Sequence, residues 1–466
     1  MQMRIIKLVL ITISIFSAVV SHAQQKGEIS ETLLRDFHQS LDEIKIKALR
    51  NAVTNNDIKK LAINKTSKKN LDFYFKYKVK TSGISDQKSS GRCWLYTGLN
   101  TIKPLVIEKY DITSFEFSHT FNFFWDQLEK SNLFLEGIIA SRNKGLEDRT
   151  VEWLLKNPIG DGGQWTTFAD IVQKYGAVPK SIMPETHSSE NTRNMSVFLK
   201  KKLKENALDL REMHHSGKSE SDIRIAKNDM LKEIYKMLVI NLGEPPTEFA
   251  WRYQNKDGTV GDLKSYTPKS FYDEAVGIDL SSYIMFMNDP TREYDKLYEI
   301  EFDRNMVEGY NWKYINLPAG EIKSMALESI KNNEGLYFSC DVGKFLDSKT
   351  GTLDIHNYDY NSLFDVEFGM DKKERIQSFE SGSSHGMALI GVDVDENGNT
   401  TKWLLENSWG ASSGYQGHLL MTDEWFDEYM FRLVVNKKYI PAKTLKILTK
   451  KAIKLPPWDP MFAPEE

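Results

Sequence analysis

The chain has 466 residues, 40% hydrophobic and 12% aromatic, enough to bury a sizeable core, which excludes wholesale disorder. Its formal charge is −4, from 61 basic and 65 acidic residues with no long basic run, so nucleic acid is not an expected partner. Two cysteines make no disulfide scaffold. The N-terminus reads as an export signal. Arg4 and Lys7 precede the apolar or small-residue stretch Leu8 to Val20, and Ser21-His22-Ala23 supplies small residues for cleavage after Ala23. That stretch is short for a membrane-spanning helix, so no stable span is expected and the product is expected to be periplasmic or secreted. No cysteine lies near the cleavage point to carry a lipid.

Residues 24–70 alternate helix-like and polar segments, and Leu71 to Val79 alternates in the manner of a strand. The segment Gln87-Lys-Ser-Ser-Gly-Arg-Cys93-Trp94 holds one of the two cysteines just after a Ser-Ser-Gly turn, and the helix-like run Trp94 to Leu99 follows. A helix beginning at Cys93 aims backbone N–H groups at the sulfur and favours its thiolate. Gln87, six residues upstream, brings a side-chain amide into the same pocket. A cysteine with an amide donor is half of a thiol acyl-transfer site. Pro104 is expected to end or kink this helix. Ser118 is placed to cap a second helix carrying Phe121, Phe124, Trp125 and Leu128 at helical spacing, an aromatic stripe that belongs to a core. Asp161-Gly162-Gly163-Gln164-Trp165 is a glycine-rich loop. From about Glu190 to Asn333 the chain is charged and reads as mainly helical.

The other half of the site needs a histidine, and nine are present. His385 opens a strand-like stretch. Asp393 to Thr400 has turn chemistry with an Asn-Gly pair, and Lys402 to Leu405 returns as a second strand ending at Glu406-Asn407-Ser408-Trp409-Gly410. With the turn centred on Glu396, His385 pairs with Asn407; centred on Asn397-Gly398, it pairs with Gly410. Either register brings Asn407 near His385, where its carbonyl can accept an imidazole N–H and fix the tautomer. The second cysteine, Cys340, follows Leu336-Tyr337-Phe338-Ser339 and reads as a buried strand thiol.

Three other patterns lack the context their chemistry needs. Gly382-Ser383-Ser384-His385-Gly386 fits a serine-hydrolase elbow, but Ser384 has polar residues before it and strand-like residues after it instead of a helix. Asp393 to Gly398 starts like a calcium loop, yet the closing position is Leu404. His214-His215 has no partner at metal spacing. No metal and no organic cofactor are expected.

These segments together resemble the papain superfamily of cysteine peptidases, and within it the bleomycin hydrolase and aminopeptidase C branch. Gln87 to Trp94, Asp161 to Trp165, Leu242-Gly243-Glu244-Pro245-Pro246, Cys340-Asp341-Val342-Gly343-Lys344, Glu406 to Gly410 and Pro457-Trp458-Asp459-Pro460-Met461 carry the likeness. It spans nearly everything after about residue 30. The resemblance implies an α+β papain-like two-lobe fold, a helical lobe beside an antiparallel β-barrel-like lobe. His385 follows Cys93 at far more than the roughly 130–150 residues of small papain-like enzymes, which implies a large helical insertion. The expected organisation is a signal peptide (1–23), an N-terminal extension and helical lobe (24–189), a mainly helical insertion (190–335), a β lobe (336–440) and a C-terminal arm (441–466). The implied activity is thiol-dependent removal of N-terminal residues from short peptides. The alternatives are an endopeptidase and, at greater distance, a serine hydrolase using Ser384. Cys93, His385, Asn407 and Gln87 carry catalysis in that reading. Gly162 and Gly163 pair with substrate backbone, Trp409 shields the His–Asn hydrogen bond, and Glu466 with the terminal carboxylate meets a substrate amine. The resemblance also implies a homo-hexamer. Phe462 and two acids stand where the branch has a small residue and a short apolar ending, and an export signal is unusual for it.

Overall fold

The computed structural model describes residues 27–65 and 72–459, in two units, residues 1–62 and 63–466. The proposed signal sequence, Met461 and Glu466 lie outside the described residues. In the first unit three helices follow one another, Glu31–Ser40, Glu43–Asn55 and Ile58–Leu61. Ser30, Asp42 and Asp57 cap them by accepting first-turn N–H groups, as short polar side chains do at helix starts.

The second unit sets helices against a 12-stranded sheet. Its strands run in the order Ile453–Leu455, Lys296–Ile300, Lys313–Asn316, Tyr283–Met287, Met430–Asn436, Leu336–Cys340, His385–Val394, Thr400–Glu406, His418–Thr422, Thr352–Leu353 and Leu346–Asp347. Tyr77–Lys78 also pairs with His385–Val394. The chain thus has a mixed α/β architecture. The resemblance implied an antiparallel β lobe, but this sheet is not antiparallel throughout. Ile453–Leu455 on Lys296–Ile300, Tyr283–Met287 on Lys313–Asn316, and His418–Thr422 on Thr352–Leu353 are parallel pairs. Long connections between those partners permit the parallel sense.

Two apolar clusters fill this unit. One gathers Trp94, Phe121, Phe124, Phe168, Leu199 and Leu238 among the helices; the other gathers Phe338, Met387, Leu389, Trp403 and Trp425 on the sheet. The helix Cys93–Lys109 is apolar on nearly every side and buried along its length, so packing supplies the stability that Pro104 withholds. The helix therefore runs past Pro104 to Lys109 instead of ending there. Gly98 lets it approach the helix Trp165–Tyr175: a methyl group at Gly98 would lie 2.5 Å from the Phe168 ring. Ser118 caps the helix His119–Ala140 as expected, its Oγ accepting the Phe121 N–H at 3.1 Å.

The segment 190–335 is helical through Thr192–His215, Glu220–Leu242, Pro268–Ala275 and Ala319–Lys331, but not throughout. Beyond these, Tyr283–Met287, Lys296–Ile300 and Lys313–Asn316 enter the main sheet. Short apolar runs such as Tyr-Ile-Met-Phe-Met carry no period that separates a buried strand from a buried helix, and the pairing partner, Met430–Asn436, is remote in sequence.

Candidate active site

Cys93 is the first residue of its helix, partly exposed, at the end where peptide dipoles favour negative charge. The residue after His385 lies against this first turn. A methyl group at Gly386 would sit 3.1 Å from Thr97 Oγ1 and 3.7 Å from the Cys93 carbonyl oxygen, so the missing side chain lets strand and helix meet. His385 is the first residue of its strand, and its Nε2 lies 2.8 Å from Asn407 Oδ1. Asn407 Oδ1 also accepts the Ser408 N–H at 2.8 Å, which identifies it as the carbonyl oxygen. The imidazole proton must then sit on Nε2, leaving Nδ1 with the lone pair of a base. Trp409 covers the ring, with centroids 4.8 Å apart.

Burial pushes His385 down to about 4, and the Asn407 hydrogen bond opposes that only partly. The resting group is a neutral base at neutral pH. A thiolate–imidazolium pair would need the charge on Cys93 beside the ring to overcome this desolvation.

Gln87 is clamped at both ends of its amide. Ser408 Oγ donates to Gln87 Oε1 at 2.6 Å, and Gln87 Nε2 donates to the Ser90 carbonyl at 2.6 Å. One N–H of that amide remains for a ligand. The backbone repeats the tie, with Gln87 N–H donating to Ser408 O at 2.8 Å. Gln87 and Asn407 are thus linked through Ser408, a residue whose part the sequence reading missed.

The glycine loop adjoins the same helix. Trp94 Nε1 donates to the Asp161 carbonyl at 2.7 Å, and a methyl group at Gly163 would lie 2.7 Å from the Trp94 ring. Gly162 faces open space. The Asp161 carboxylate accepts from Gly91 N–H at 3.3 Å, Ser196 Oγ at 3.0 Å and Thr192 Oγ1, tying the loop before Cys93 to the helix Thr192–His215.

Two buried ion pairs brace these parts, and neither was anticipated. Arg92, fully buried beside Cys93, meets Glu185 at 2.9 Å and donates to Ser90 Oγ at 3.0 Å. Burial acts to raise Glu185, but Arg92 and then His119 outweigh it and hold the carboxyl at about 2. Lys103 meets Glu406 at 2.7 Å with both side chains buried, stapling the helix that Cys93 opens to the strand that ends beside Asn407. A lysine inside Ile-Lys-Pro-Leu-Val and a glutamate after Trp-Leu-Leu are the sequence signal for this pair, since isolated charges in apolar runs require partners.

The tempting motifs resolve otherwise. Ser384 donates toward the Cys340 carbonyl and leads into a strand, so the elbow geometry is missing. Asp395 Oδ1 accepts the N–H groups of Asn397 and Asn399 at 2.9 and 2.8 Å in a hairpin turn. His214 and His215 lie in a helix's last turn, bonded to Asn143 and to the Arg211 carbonyl. Among the described residues no cluster of His, Cys, Asp and Glu could hold a metal ion, and no helix is long and apolar enough to cross a membrane.

Residues 28–462 match the Peptidase C1-like family. Aminopeptidase C of Lactobacillus delbrueckii subsp. lactis is 37% identical over 442 residues, covering 94% of this chain and 98% of that protein. Bleomycin hydrolase of Homo sapiens is 39% identical over 425 residues, covering 89% and 93%. The crystal structure of pepw from Lactobacillus rhamnosis HN001 superposes with a TM-score of 0.91 at 38% identity, over 94% of this chain and all of the other.

Proposed function

Because this chain belongs to the Peptidase C1-like family, we propose that Cys93, His385, Asn407 and Gln87 are its catalytic set, acting in thiol-dependent removal of N-terminal residues from peptides. The protein is a cysteine-type peptidase, and its aminopeptidase C and bleomycin hydrolase relatives support aminopeptidase action. The hydrogen bond from His385 Nε2 to Asn407 Oδ1 carries the assignment, because it leaves Nδ1 as the base beside the nucleophile's helix.

In this mechanism His385 Nδ1 takes the Cys93 thiol proton as Sγ forms a bond to the scissile carbonyl carbon. The Cys93 N–H and one Gln87 Nε2–H hold the oxyanion. His385 returns the proton to the departing amine, leaving a thioester. Water, deprotonated by His385, then releases the acid and restores the thiol. Gly162 and Gly163 take the substrate backbone, and Trp409 keeps water from the His–Asn bond.

The same reading treats the two apolar clusters as the two lobes of a papain-like fold, with the site where the Cys93 helix meets the His385 strand. It includes export with removal of residues 1–23, supported by the sequence pattern alone, and assembly as a homo-hexamer, supported by family likeness alone. The C-terminal arm, with Glu465, Glu466 and the terminal carboxylate, presents negative charge to a substrate ammonium. Fluorogenic peptides with free and with acetylated N-termini test the activity. Hydrolysis of the free-amino form alone, abolished by iodoacetamide, is expected; equal hydrolysis of both indicates an endopeptidase. Deleting Phe462 to Glu466 is expected to lower free-amino and raise N-blocked hydrolysis, and an unchanged ratio removes the arm from the mechanism.

A further inference from the structure

The loop that the proposed function assigns to substrate is held by a side chain that makes no contact with the catalytic set described above. Lys130, on the helix His119–Ala140, donates from Nζ to the Gly162 carbonyl at 2.6 Å and to the Gly160 carbonyl at 3.0 Å. The carbonyl between them, that of Asp161, accepts from Trp94 Nε1. Three consecutive carbonyls are therefore drawn inward, two by one ammonium and one by the indole next to Cys93. The same ammonium lies 5.3 Å from the centroid of a Trp94 ring, within cation–π range. It is anchored below by Asp126 at 2.7 Å. Asp126 is fully buried and is held in turn by Gln127 Nε2 and Asn305 Nδ2 at 3.1 and 3.0 Å.

What this leaves outward is Gly163. Its N–H and C=O make no hydrogen bond among the described residues, and its α-hydrogen side is closed by Trp94. One residue offering one donor and one acceptor is the minimal sheet-like edge, able to pair with a single residue of an extended peptide. Asp161 alone among these four residues has a side chain to anchor the loop, and backbone freedom at Gly160, Gly162 and Gly163 would otherwise blur the conformation.

We propose that Lys130 is the positioning residue for peptide binding: by tying the Gly160 and Gly162 carbonyls inward it presents Gly163 to the substrate backbone. This rests on the assignment of the glycine loop to substrate in the proposed function. Lys130 acts through the loop and touches neither the nucleophile nor the base. Its loss is thus felt in substrate binding and not in the chemistry of Cys93.

The test compares the full-length wild type with Lys130→Met, Lys130→Arg and the double variant Asp126→Asn/Lys130→Met. The double variant removes both charges together, so the buried Asp126 is not stranded if the single variant fails to fold. Two readouts are used: kcat and KM on a free-amino aminoacyl coumarin amide, and the rate of Cys93 alkylation by iodoacetamide, which needs no substrate site. The expected result is a KM raised about tenfold with kcat within about twofold in both Met-containing variants. Alkylation is unchanged, and Lys130→Arg restores most of the binding because its guanidinium still offers several donors. An unchanged KM in the Met-containing variants overturns the proposal. So does a fall in kcat and alkylation together, which would place Lys130 in support of the Trp94–Cys93 turn. Retained activity in Cys93→Ala would instead remove the underlying mechanism, and that outcome is read independently of Lys130.

Discussion

Cys93 opens a helix and is partly exposed, whereas Cys340 closes a strand and is fully buried in the apolar cluster on the sheet. Both stand next to His385. Cys340 is its ladder partner, while the turn that begins at Cys93 packs on the residue after it. Nearness to a base therefore does not make a nucleophile. Burial pushes the Cys340 thiol well above its ordinary range, with the charges of Asp341 and Cys93 adding to the effect, so the thiolate is suppressed. Cys93 has a helix start, a clamped amide and access to substrate. The two cysteines differ in surroundings, and that difference supports the proposed role of Cys93.

The largest effect that would break this comparison is expected at the cysteines themselves. Cys93→Ala should fold and lose all peptide hydrolysis, while Cys340→Ser keeps it and loses about 1–3 kcal/mol of stability for a hydroxyl placed in an apolar site. Activity assays with denaturant unfolding of both variants decide this, and a dead Cys340 variant that folds would overturn the assignment. Next comes the base. His385→Ala should cost the ~10²–10⁴-fold that proton transfer contributes, and Asn407→Ala less, because Asn407 orients the ring without moving a proton. A larger loss of kcat/KM at Asn407 would contradict those roles.

The third expectation concerns the staple that holds the nucleophile's helix to the Asn407 strand. Lys103→Met strands Glu406 in the interior and should cost ~3–5 kcal/mol, whereas Lys103→Met/Glu406→Gln recovers part of it. Chemical unfolding of both variants measures this. The smallest effect is the pH dependence of the buried imidazole. An unfolded histidine binds its proton near 6.5, and native His385 at about 4, so across that window the unfolded state holds more protons. Its contribution to stability is full above about 6.5 and is lost as the pH falls toward 4, amounting to about 2 kcal/mol between pH 7 and pH 5. His385→Gln should lose correspondingly less stability over the same interval.

Much of the site was legible because its signals are local. A cysteine after Ser-Ser-Gly and before an apolar run marks a helix start, and Ser118 before an aromatic helical stripe marks another. The hairpin was legible from its Asn-Gly turn, though neither uniform register holds. Bulges between Leu389 and Gly391 and between Asp393 and Val394 shift the pairing, and Ala388 faces Glu406. The His385–Asn407 contact forms beyond the last paired residues, through side chains alone. At Pro104 the helix does not end, because a rule derived from exposed backbone meets a helix held by burial on nearly every side.

By itself the sequence determined which residue types were present to do chemistry, where the nucleophile's helix begins, and that a histidine and an asparagine approach each other across one hairpin. Only the tertiary structure decided that Ser408 joins Gln87 to Asn407, that Lys103 and Glu406 meet, and that strands from the 283–316 region complete the sheet. The physical reason is range. Helix starts and turns are set by neighbours a few residues away, whereas burial, ion pairing and strand order depend on segments hundreds of residues apart that meet only when apolar surface is driven out of water.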